Sequence, residues 1–432
     1  MENNYSYKRS LAGSIDWWLI GCYVALVIIG LANIYSSIHA SETASFLNPG
    51  SRCGKQLIWF GISLVMAGLI IFVFNPRLWE VIASPSYLVV LLLLIAVIFL
   101  GVQVKGSRSW FAFGPIRFQP AEVSKITTSL MLAMVMSQSS FKLSNFRDLL
   151  TAALIIGIPM LVIVGESETG SALVYVGFIF MLYREGLSGW YIFVLGLAIL
   201  TFILTLVLSP LAAVGVIAGI VAILLAVYFK NNGNSFKTRR IAIRASLITL
   251  LAGAALAYST NFIFNNILQD HQRKRIEVLL GLKEDPAGVG YNVNQSMIAI
   301  GSGGLTGKGY LNGTQTTYGF VPEQSTDFIF CTIGEEWGFI GSLILIGLYV
   351  FMIWRIIHDA EQSREGFTRI YGYCVACCIF MHLFINIGMT IGLMPVIGIP
   401  LPLVSYGGSS LLAFTILIFI FVALDRNEKK YF

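Results

Sequence analysis

The feature that most constrains this chain is a series of long apolar runs separated by short polar segments. A helix needs roughly 20 apolar residues to cross the hydrocarbon core of a bilayer, and runs of about that length recur along the sequence. Only 12% of the residues are charged, against about a quarter in a soluble domain. The sequence therefore excludes a soluble enzyme, a secreted disulfide scaffold and a disordered chain. It predicts an all-α polytopic membrane protein.

The apolar runs predict twelve transmembrane helices, and an even number of crossings places both termini on one side. Of the 28 Lys and Arg residues, 17 fall on the face that holds the N-terminus, so the positive-inside rule makes both termini cytoplasmic. No internal repeat is evident, and we treat 1–432 as a single integral-membrane domain. The predicted spans are 17–36, 57–75, 82–101, 119–137, 150–165, 171–183, 190–208, 211–229, 241–259, 326–354, 370–392 and 404–424.

The longest polar stretch, 260–325, faces outward under this topology. It is rich in Gly and polar residues and has too few apolar residues for a core of its own, so we expect a structured loop folded over the helices. Most outward-facing positive charges concentrate in 105–125 and 273–308, where the positive-inside rule disfavours them. This concentration suggests a functional demand for cations.

The stretch 105–125 alternates aromatic residues with arginines, a composition suited to the headgroup layer. Pro120 then begins a helix. Glu122 and Lys125 follow three residues apart, so both project from one face near its outer end. An ionisable pair within a membrane is costly and usually faces a cavity or a partner, although a self-neutralising structural pair explains it too.

The stretch 269–296 carries a cationic cluster and an acid in a Gly-rich loop. Asp285 precedes Pro286, which restricts it to an extended or turn geometry, and nearby glycines permit a tight chain path. An acid in such a loop above a membrane cavity is a candidate general base. On local evidence alone, an ordinary Asp-Pro turn explains the pattern better.

GSGGLTGKG (301–309) resembles a phosphate loop but departs from the pattern at two positions. Ser302 stands where the pattern needs Gly, and Gly309 where it needs Ser or Thr. The loop also faces outward, where ATP is absent, so we predict neither an ATPase nor a nucleotide cofactor. Its backbone amides and Lys308 remain candidates for holding a phosphate or pyrophosphate.

The segment 395–410 is broken by Pro and Gly just before the last helix. Non-helical backbone at that depth must be buried in protein or line a cavity. Four acids, Glu323, Asp327, Glu335 and Glu336, lie at or in the predicted tenth helix, and at least one of the last two must face inward. These features together predict an outward-facing intramembrane cavity that fits an amphipathic anion with an apolar tail and a pyrophosphate. They do not separate moving such a lipid from reacting it.

Three of the six cysteines, Cys374, Cys377 and Cys378, suggest at first a metal or redox cluster. They lie inside a predicted membrane helix, without a His-x-x-x-His pattern nearby. We interpret them as small apolar packing residues.

Five motifs together resemble those of a known family: GSRSWFAFGPIRFQPAEVSK (106–125), EDPAGVGYNVNQSMIAIGSGGLTGKGYLNGTQ (284–315), PEQSTDFIF (322–330), GEEWG (334–338) and GIPLPLVSYGGSS (398–410). The chain resembles the SEDS glycosyltransferases (shape, elongation, division and sporulation). Within that family, the run GKGYLNGTQ favours the RodA-like branch over the FtsW-like branch.

Two departures from the family pattern stand out. Ser109 occupies a place where many members carry Arg before the Trp. The resemblance also implies a family core of ten helices, whereas the sequence predicts twelve. The excess lies in 190–259, where a helix pair with the basic loop 230–240 is an expected insertion that preserves the topology on either side.

The resemblance implies a peptidoglycan glycosyltransferase of the bacterial inner membrane that polymerises lipid II during cell elongation and shape maintenance, with its active site on the extracytoplasmic side. It implies a class B penicillin-binding protein and other elongation-complex proteins as partners, and no nucleic acid. It admits a divalent cation, Mg²⁺ or Mn²⁺, and no organic cofactor. The implied catalytic residues are Asp285, Glu122 and Lys125, and the candidate substrate-binding residues are Trp110, Arg108, Arg273, Lys308, Gln295, Ser405 and Tyr406.

Two alternatives from other classes remain open on the residues alone. A lipid II flippase explains the helices and the cavity, but it predicts a path to the cytoplasmic leaflet, whereas the acidic and basic residues cluster at the outer end. A scaffold for a cell-wall complex explains partner binding but leaves the intramembrane charges without a role.

Overall fold

The computed structural model describes residues 14–39, 48–104, 107–114, 116–231, 236–266, 268, 270–280, 282 and 289–430. Within that part of the chain, ten helices are long and apolar enough to cross a membrane. The prediction of a helical, multi-pass membrane protein is confirmed. Asp285 lies outside the described residues.

Within these described ranges, the regular structure is helical apart from three short strands. The helices are α1 (Trp17–Ile38), α2 (Arg52–Gly68), α3 (Arg77–Leu100), α4 (Pro120–Met136), α5 (Phe146–Gly165), α6 (Thr169–Val176), α7 (Phe178–Arg184), α8 (Gly189–Val207), α9 (Pro210–Asn231), α10 (Phe236–Asn266), α11 (Asp270–Leu279), α12 (Val289–Ser302), α13 (Thr314–Thr317), α14 (Ile329–Gln362), α15 (Gly366–Thr390) and α16 (Gly408–Lys430). A π-helical turn, Leu69–Val73, continues α2. The strands β1 (Val102–Val104), β2 (Ser107–Phe113) and β3 (Ile116–Phe118) form an antiparallel meander.

Ten of the predicted spans correspond to long helices, and the other two correspond to shorter ones. The fourth span is α4, which has 17 residues. The sixth, 171–183, is divided into α6 and α7 at Gly177, where the Met381 side chain leaves no room for a Cβ atom. The predicted loop 260–325 begins too early, because α10 continues to Asn266.

The chain divides into two compact units, one of residues 1–186 and 291–432 and the other of residues 187–290. In the first unit, α15 is buried over most of its length between α4, α14 and α16. Its cysteines 374, 377 and 378 are free and buried, as expected of packing residues. In the second unit, α8, α9 and α10 pack together, and Ile217 of α9 contacts Gly253 of α10.

Helix α14 is kinked at Gly338, which has a φ of 65°. The segment 301–309, called the glycine loop below, contacts the helix there through its backbone. Phe339 N donates to Gly304 O at 2.9 Å. A Cβ at Gly338 would collide with the backbone of Gly307 and Leu305. The position therefore needs glycine both for its positive φ and for this close approach.

An ion-pair network joins three helices at one end of the first unit. Arg355 of α14 lies 2.7 Å from Asp16, the residue that precedes α1, and 3.3 Å from Asp359. Lys429 of α16 lies 3.3 Å from Asp359 and 2.8 Å from Asp425. The three carboxylates are buried, so a charge on any of them depends on these two cations.

We expect Arg355→Met to destabilise the protein by roughly 3 kcal/mol, because removing one partner of a buried ion pair leaves the other charge uncompensated. The measurement is the midpoint of thermal denaturation in detergent. Arg184→Met is the matched control, since the Arg184–Glu361 pair is exposed, with 58% and 43% of the two side chains accessible. The control should keep the wild-type midpoint. A wild-type midpoint for Arg355→Met would contradict the role of the network.

Candidate active site

Lys125 is the centre of the candidate site, because its ammonium group is held by three neighbours inside the first unit. Its Nζ donates to Glu122 Oε1 at 2.9 Å and lies 2.8 Å from His382 Nε2. The ring centroid of Phe414 lies 5.0 Å from the same atom, within cation–π distance. Only 2% of the Lys125 side chain and 4% of the Glu122 side chain are exposed. The predicted pairing of Glu122 with Lys125 is confirmed.

The start of α4 explains the position of this pair. Strands β2 and β3 lead into the helix, and Pro120 is its first residue, where a missing N–H leaves no hydrogen bond unmade. Glu122 lies in the first turn and Lys125 one turn later, on the same face. Glu122 Oε2 is buried and makes no hydrogen bond within the described part of the chain. One carboxylate oxygen of the pair is thus open to a further donor or cation.

His382 of α15 contacts this pair as a neutral imidazole. Its Nδ1 lies 3.2 Å from the carbonyl oxygen of Pro400, which only accepts, so Nδ1 carries the proton. The Lys125 ammonium has only donors, so Nε2 accepts from it. The site therefore contains one ion pair, Glu122 with Lys125, and one neutral ring that links the pair to the backbone of the segment before α16.

That segment, 395–407, is non-helical, as the Pro and Gly pattern predicts, and it is mostly buried from Ile399 to Ser405. Side chains of neighbouring helices satisfy its carbonyl groups. Asn386 Nδ2 donates to Ile399 O at 2.7 Å and to Asp327 O at 2.8 Å, and the Tyr349 hydroxyl donates to Pro402 O. The broken backbone is thus held inside the protein, as a membrane requires.

Ser405 and Tyr406 join this segment to the residues that precede α14. The Ser405 hydroxyl donates to Thr326 O at 2.6 Å and accepts from Leu401 N at 2.8 Å. The backbone N–H of Tyr406 donates to Ser325 O at 2.8 Å. Ser405 is buried and its hydroxyl is occupied within the protein, whereas Tyr406 is half-buried. Their roles in substrate binding stay predictions.

Strand β2 presents two different faces. The hydroxyls of Ser107 and Ser109 both donate to Glu168 Oε1, each at 2.7 Å. Arg108 is exposed and Trp110 half-buried, and alternation along a strand places both on the opposite face. Ser109 therefore binds a carboxylate in this chain. Arg108 and Trp110 share a face, as joint substrate binding requires.

Glu166, directly after α5, contacts strand β2. Its backbone carbonyl accepts from Arg108 N at 3.3 Å. Its side chain is buried, and neither oxygen makes a hydrogen bond within the described residues. Burial and, to a smaller extent, the nearby Glu168 charge raise the pKa of Glu166 to about 8. Glu166 is therefore mostly protonated at neutral pH.

The glycine loop is occupied by contacts with α14. The backbone N–H groups of Lys308 and Gly309 donate to the carbonyls of Glu335 and Glu336, each at 3.0 Å. Those two amides are therefore not free for a phosphate, contrary to the expectation from the sequence. The Lys308 ammonium lies 2.7 Å from Glu335 Oε1 and from the Thr314 hydroxyl. Its role in substrate binding stays a prediction.

Three further predicted site residues lie elsewhere in the chain. Arg273, in the second unit, donates to the carbonyls of Phe264 and Asn265 at 3.1 and 2.6 Å and so binds the end of α10. Gln295 is half-buried in α12. Asp285 falls outside the described residues. Their assignments stay predictions.

The sequence reasoning missed His382, Asn386 and Glu168. A signal existed for the first two, which are polar residues four positions apart in an apolar helix and therefore share a face. No local pattern connects His382 with Lys125, which lies 257 positions away. Glu168 becomes recognisable only when strand β2 is placed beside the α5–α6 turn.

Comparisons with known proteins agree on the relatives of this chain. The family model for cell cycle proteins named after FtsW, RodA and SpoVE matches residues 16–215 and 215–430. The peptidoglycan glycosyltransferase MrdB of Escherichia coli K12 is 33% identical over 362 residues, which are 84% of this chain and 81% of the relative. The peptidoglycan glycosyltransferase RodA of Treponema pallidum is 32% identical over 421 residues, 92% of this chain and 94% of the relative.

Two solved structures share the fold. One is from a peptidoglycan synthase complex that coordinates polymerization and crosslinking; it has a TM-score of 0.68 and 26% identity, and the match covers 96% of this chain and 98% of that one. The other is the rod shape determining protein RodA of Thermus thermophilus, with a TM-score of 0.60 and 24% identity over 96% of this chain and 97% of that one.

We expect Glu166→Gln to reduce the pH dependence of stability. The folded-state pKa of about 8 lies above the ordinary 4.5, so the folded state holds the proton more tightly than the unfolded state. The free energy of unfolding that this tighter proton binding contributes is fully present below pH 4.5. It is lost as the pH rises through the folded-state pKa of about 8. Between about pH 5 and about pH 9, the thermal midpoint of the wild type should therefore fall more than that of the variant. Glu361→Gln, an exposed carboxyl, is the control; equal pH profiles for Glu166→Gln and the wild type would contradict the assignment.

Proposed function

This chain belongs to the cell cycle protein family of FtsW, RodA and SpoVE, and on that premise we propose that it is a peptidoglycan glycosyltransferase that polymerises lipid II. The observation that carries the proposal is the 33% identity with the glycosyltransferase MrdB across 84% of the chain. The RodA-like motifs favour a role in cell elongation and shape maintenance. The buried ion pair of Glu122 and Lys125 supports a site for chemistry on a charged lipid.

The proposed reaction is a single displacement at an anomeric carbon. The 4-hydroxyl of the acceptor GlcNAc attacks the carbon, the bond between that carbon and the pyrophosphate oxygen breaks, and undecaprenyl pyrophosphate leaves with the bonding electrons. Asp285 takes the hydroxyl proton as general base, a contribution on the order of 10²–10⁴ in rate. Single displacement converts an α-linked donor into a β-linked chain.

The leaving pyrophosphate requires positive charge, and we assign that role first to Lys125, with Arg273 and Lys308 as further candidates. Glu122 orients Lys125, since the two groups are 2.9 Å apart in the protein interior. The neutral His382 ring fixes the other side of the ammonium without competing for its proton. Such preorganised charge is commonly the largest catalytic contribution.

A divalent cation, Mg²⁺ or Mn²⁺, remains part of the proposal. Within the described residues, no group of three or more His, Cys, Asp and Glu side chains forms a protein-only cage. Mg²⁺ is instead usually held by one or two carboxylates together with substrate phosphates. Glu122 Oε2, buried without a hydrogen bond, is the oxygen that fits this role. The ion would neutralise pyrophosphate charge.

We also propose the finer topology of the chain. The chain crosses the membrane twelve times if helix α4 and the pair α6–α7 each cross once in addition to the ten long helices. Both termini are then cytoplasmic, the protein lies in the bacterial inner membrane, and the active site faces the extracytoplasmic side. The segment 190–259 contains an inserted helix pair within a single integral-membrane domain.

The proposed protein partner is a class B penicillin-binding protein that crosslinks the glycan. This proposal is supported by the similarity to a chain from a peptidoglycan synthase complex in which polymerization and crosslinking are coordinated. Other elongation-complex proteins complete the expected assembly.

The test is glycan formation from purified lipid II by the isolated protein, with and without its cognate transpeptidase. We expect polymer from the wild type and none from Asp285→Ala. Lys125→Met should lower the rate by about 10²-fold or more, because it removes a preorganised charge. The exposed Lys142→Met is the matched control and should keep the wild-type rate.

Glu122→Gln separates a positioning role from a structural one. It should lower kcat with little change in KM, whereas a purely structural role would not divide the two constants in this way. The thermal midpoint should also fall, because the buried Lys125 charge loses its partner. An Asp285→Asn protein that polymerises at the wild-type rate would contradict the assigned base. Failure of the folded wild type with its partner present would favour the flippase, and lipid translocation would then be measured.

The topology is tested by labelling a single cysteine introduced in the basic loop 230–240 of a variant without reactive native cysteines. We expect protection from a membrane-impermeant thiol reagent in intact cells and labelling after permeabilisation. A cysteine introduced in 306–310 should react from outside. Labelling of 230–240 in intact cells would contradict the proposed orientation.

A further inference from the structure

A cavity of about 800 Å³ opens in the first unit at the end where α2 leads to α3 and α14 leads to α15. This volume lies in the range of about 300–1,000 Å³ that is typical of small-molecule sites. The proposed glycosyl transfer uses none of its residues. They are Phe72, Val73, Phe74, Asn75, Pro76, Arg77, Glu80, Arg364, Glu365, Leu424, Arg426, Asn427 and Glu428.

Three arginines from different parts of the chain line the cavity. Arg77 begins α3, Arg364 precedes α15 and Arg426 lies near the end of α16. The N-termini of α3 and α15, helices of 24 and 25 residues, add the positive ends of two helix dipoles. Guanidinium groups and helix N-termini together are the usual ligands of a phosphate group.

Negative charge lines the same cavity in equal number. Glu80 lies in the first turn of α3, and Glu365 is the residue directly before α15. Glu428 accepts from the Ser363 hydroxyl at 2.5 Å and from Arg364 N at 3.0 Å. Burial, followed by the charges of Glu428 and Glu80, raises the pKa of Glu365. A ligand that carries only negative charge would therefore be attracted by the arginines of this lining and repelled by its glutamates.

The π-helical turn fixes one of the arginines at the cavity. Arg426 Nη1 donates to Ile71 O, inside the turn, at 2.6 Å, and its guanidinium lies over the Phe72 ring at 5.8 Å. Arg426 Nε is buried and has no acceptor within the described residues. The irregular turn thus holds a guanidinium at the cavity wall with one donor unused.

The apolar part of the lining faces outward from the protein. Phe72 and Val73 each have 66% of their surface exposed, which in a membrane helix is surface for lipid chains. Phe74 and Trp79 stack edge to face at 6.0 Å beside them, in the composition typical of the headgroup layer. The cavity therefore places exposed charges of both signs, those of Arg77, Glu80, Arg364 and Glu365, beside a surface that suits acyl chains.

We propose that this cavity binds the headgroup of a phospholipid that carries both a phosphodiester and a primary ammonium, as phosphatidylethanolamine does. The phosphate lies among Arg77, Arg364 and Arg426, and the ammonium donates to Glu365 and Glu80. The acyl chains leave along Phe72 and Val73. The cavity lining carries three arginines and three glutamates, so it favours a headgroup with both charges over a purely anionic one.

The test is native mass spectrometry of the full chain in detergent, with equimolar phosphatidylethanolamine, phosphatidylglycerol and phosphatidylcholine of identical acyl chains. We expect phosphatidylethanolamine to be retained most. Phosphatidylglycerol has no ammonium, and the quaternary group of phosphatidylcholine has no N–H to donate. Equal retention of the three lipids, or stronger retention of phosphatidylglycerol, would overturn the proposal.

Two variants separate the two halves of the site. Arg77→Gln should lower retention of both phosphatidylethanolamine and phosphatidylglycerol by about tenfold, the effect of losing a charge-assisted hydrogen bond. Glu365→Gln should lower retention of phosphatidylethanolamine to a similar extent and leave phosphatidylglycerol unchanged. The exposed Arg147→Gln, at the start of α5 and away from the cavity, should change neither.

A soluble competitor distinguishes a lipid from a free phosphate compound. Glycerophosphoethanolamine added at the lipid concentration should leave the bound lipid in place, because it lacks acyl chains. Displacement at that concentration would overturn the assignment to a membrane lipid. If Arg77→Gln does not fold, Glu80→Gln replaces it and must reduce the preference for phosphatidylethanolamine; an unchanged preference would count against the site.

Discussion

Backbone groups that leave the helical pattern inside a bilayer must find their partners within the protein, and segment 395–407 shows how this requirement organises the first unit. Its carbonyls are bound by side chains from α14 and α15, including Tyr349, His382 and Asn386. Each of these residues therefore has a fixed position relative to the segment. The fixed His382 in turn sets the place of Lys125. The candidate site thus depends on how a broken stretch of backbone is satisfied.

Much of the fold follows from the sequence because hydropathy is local. Apolar runs of membrane length identify the helices, and Pro, Gly and the spacing of Glu122 and Lys125 identify a broken segment and a paired charge. Boundaries were less predictable, since α10 continues to Asn266 although its last turns are polar. Asn265 there donates to the carbonyl of Asn261 at 2.9 Å.

The parts that the sequence could not predict depend on contacts between distant residues. Lys308 was expected to bind a phosphate, but the kink at Gly338 brings α14 against its loop, and Glu335 takes the ammonium. Likewise, the role of Ser109 is not apparent in the sequence, because its partner Glu168 comes next to it only in the folded chain. A charge in a motif is visible in sequence, whereas the partner that neutralises it is visible only in the fold.

Charged groups in this protein repeatedly meet backbone that has left regular helix. Arg426 binds a carbonyl of the π-helical turn, Arg273 binds the end of α10, and Glu335 accepts from amides at the start of α13. Irregular backbone and a buried charge each lack hydrogen-bond partners, so bringing them together satisfies both. Lys125 lies in regular helix and is held by side chains, as Arg355 and Lys429 are. It differs from those two cations in its second partner, because the His382 ring, and not a second carboxylate, lies 2.8 Å from its ammonium. The Lys125 charge is therefore offset by one carboxylate, which is the structural argument for proposing that this ammonium acts in the chemistry of the site.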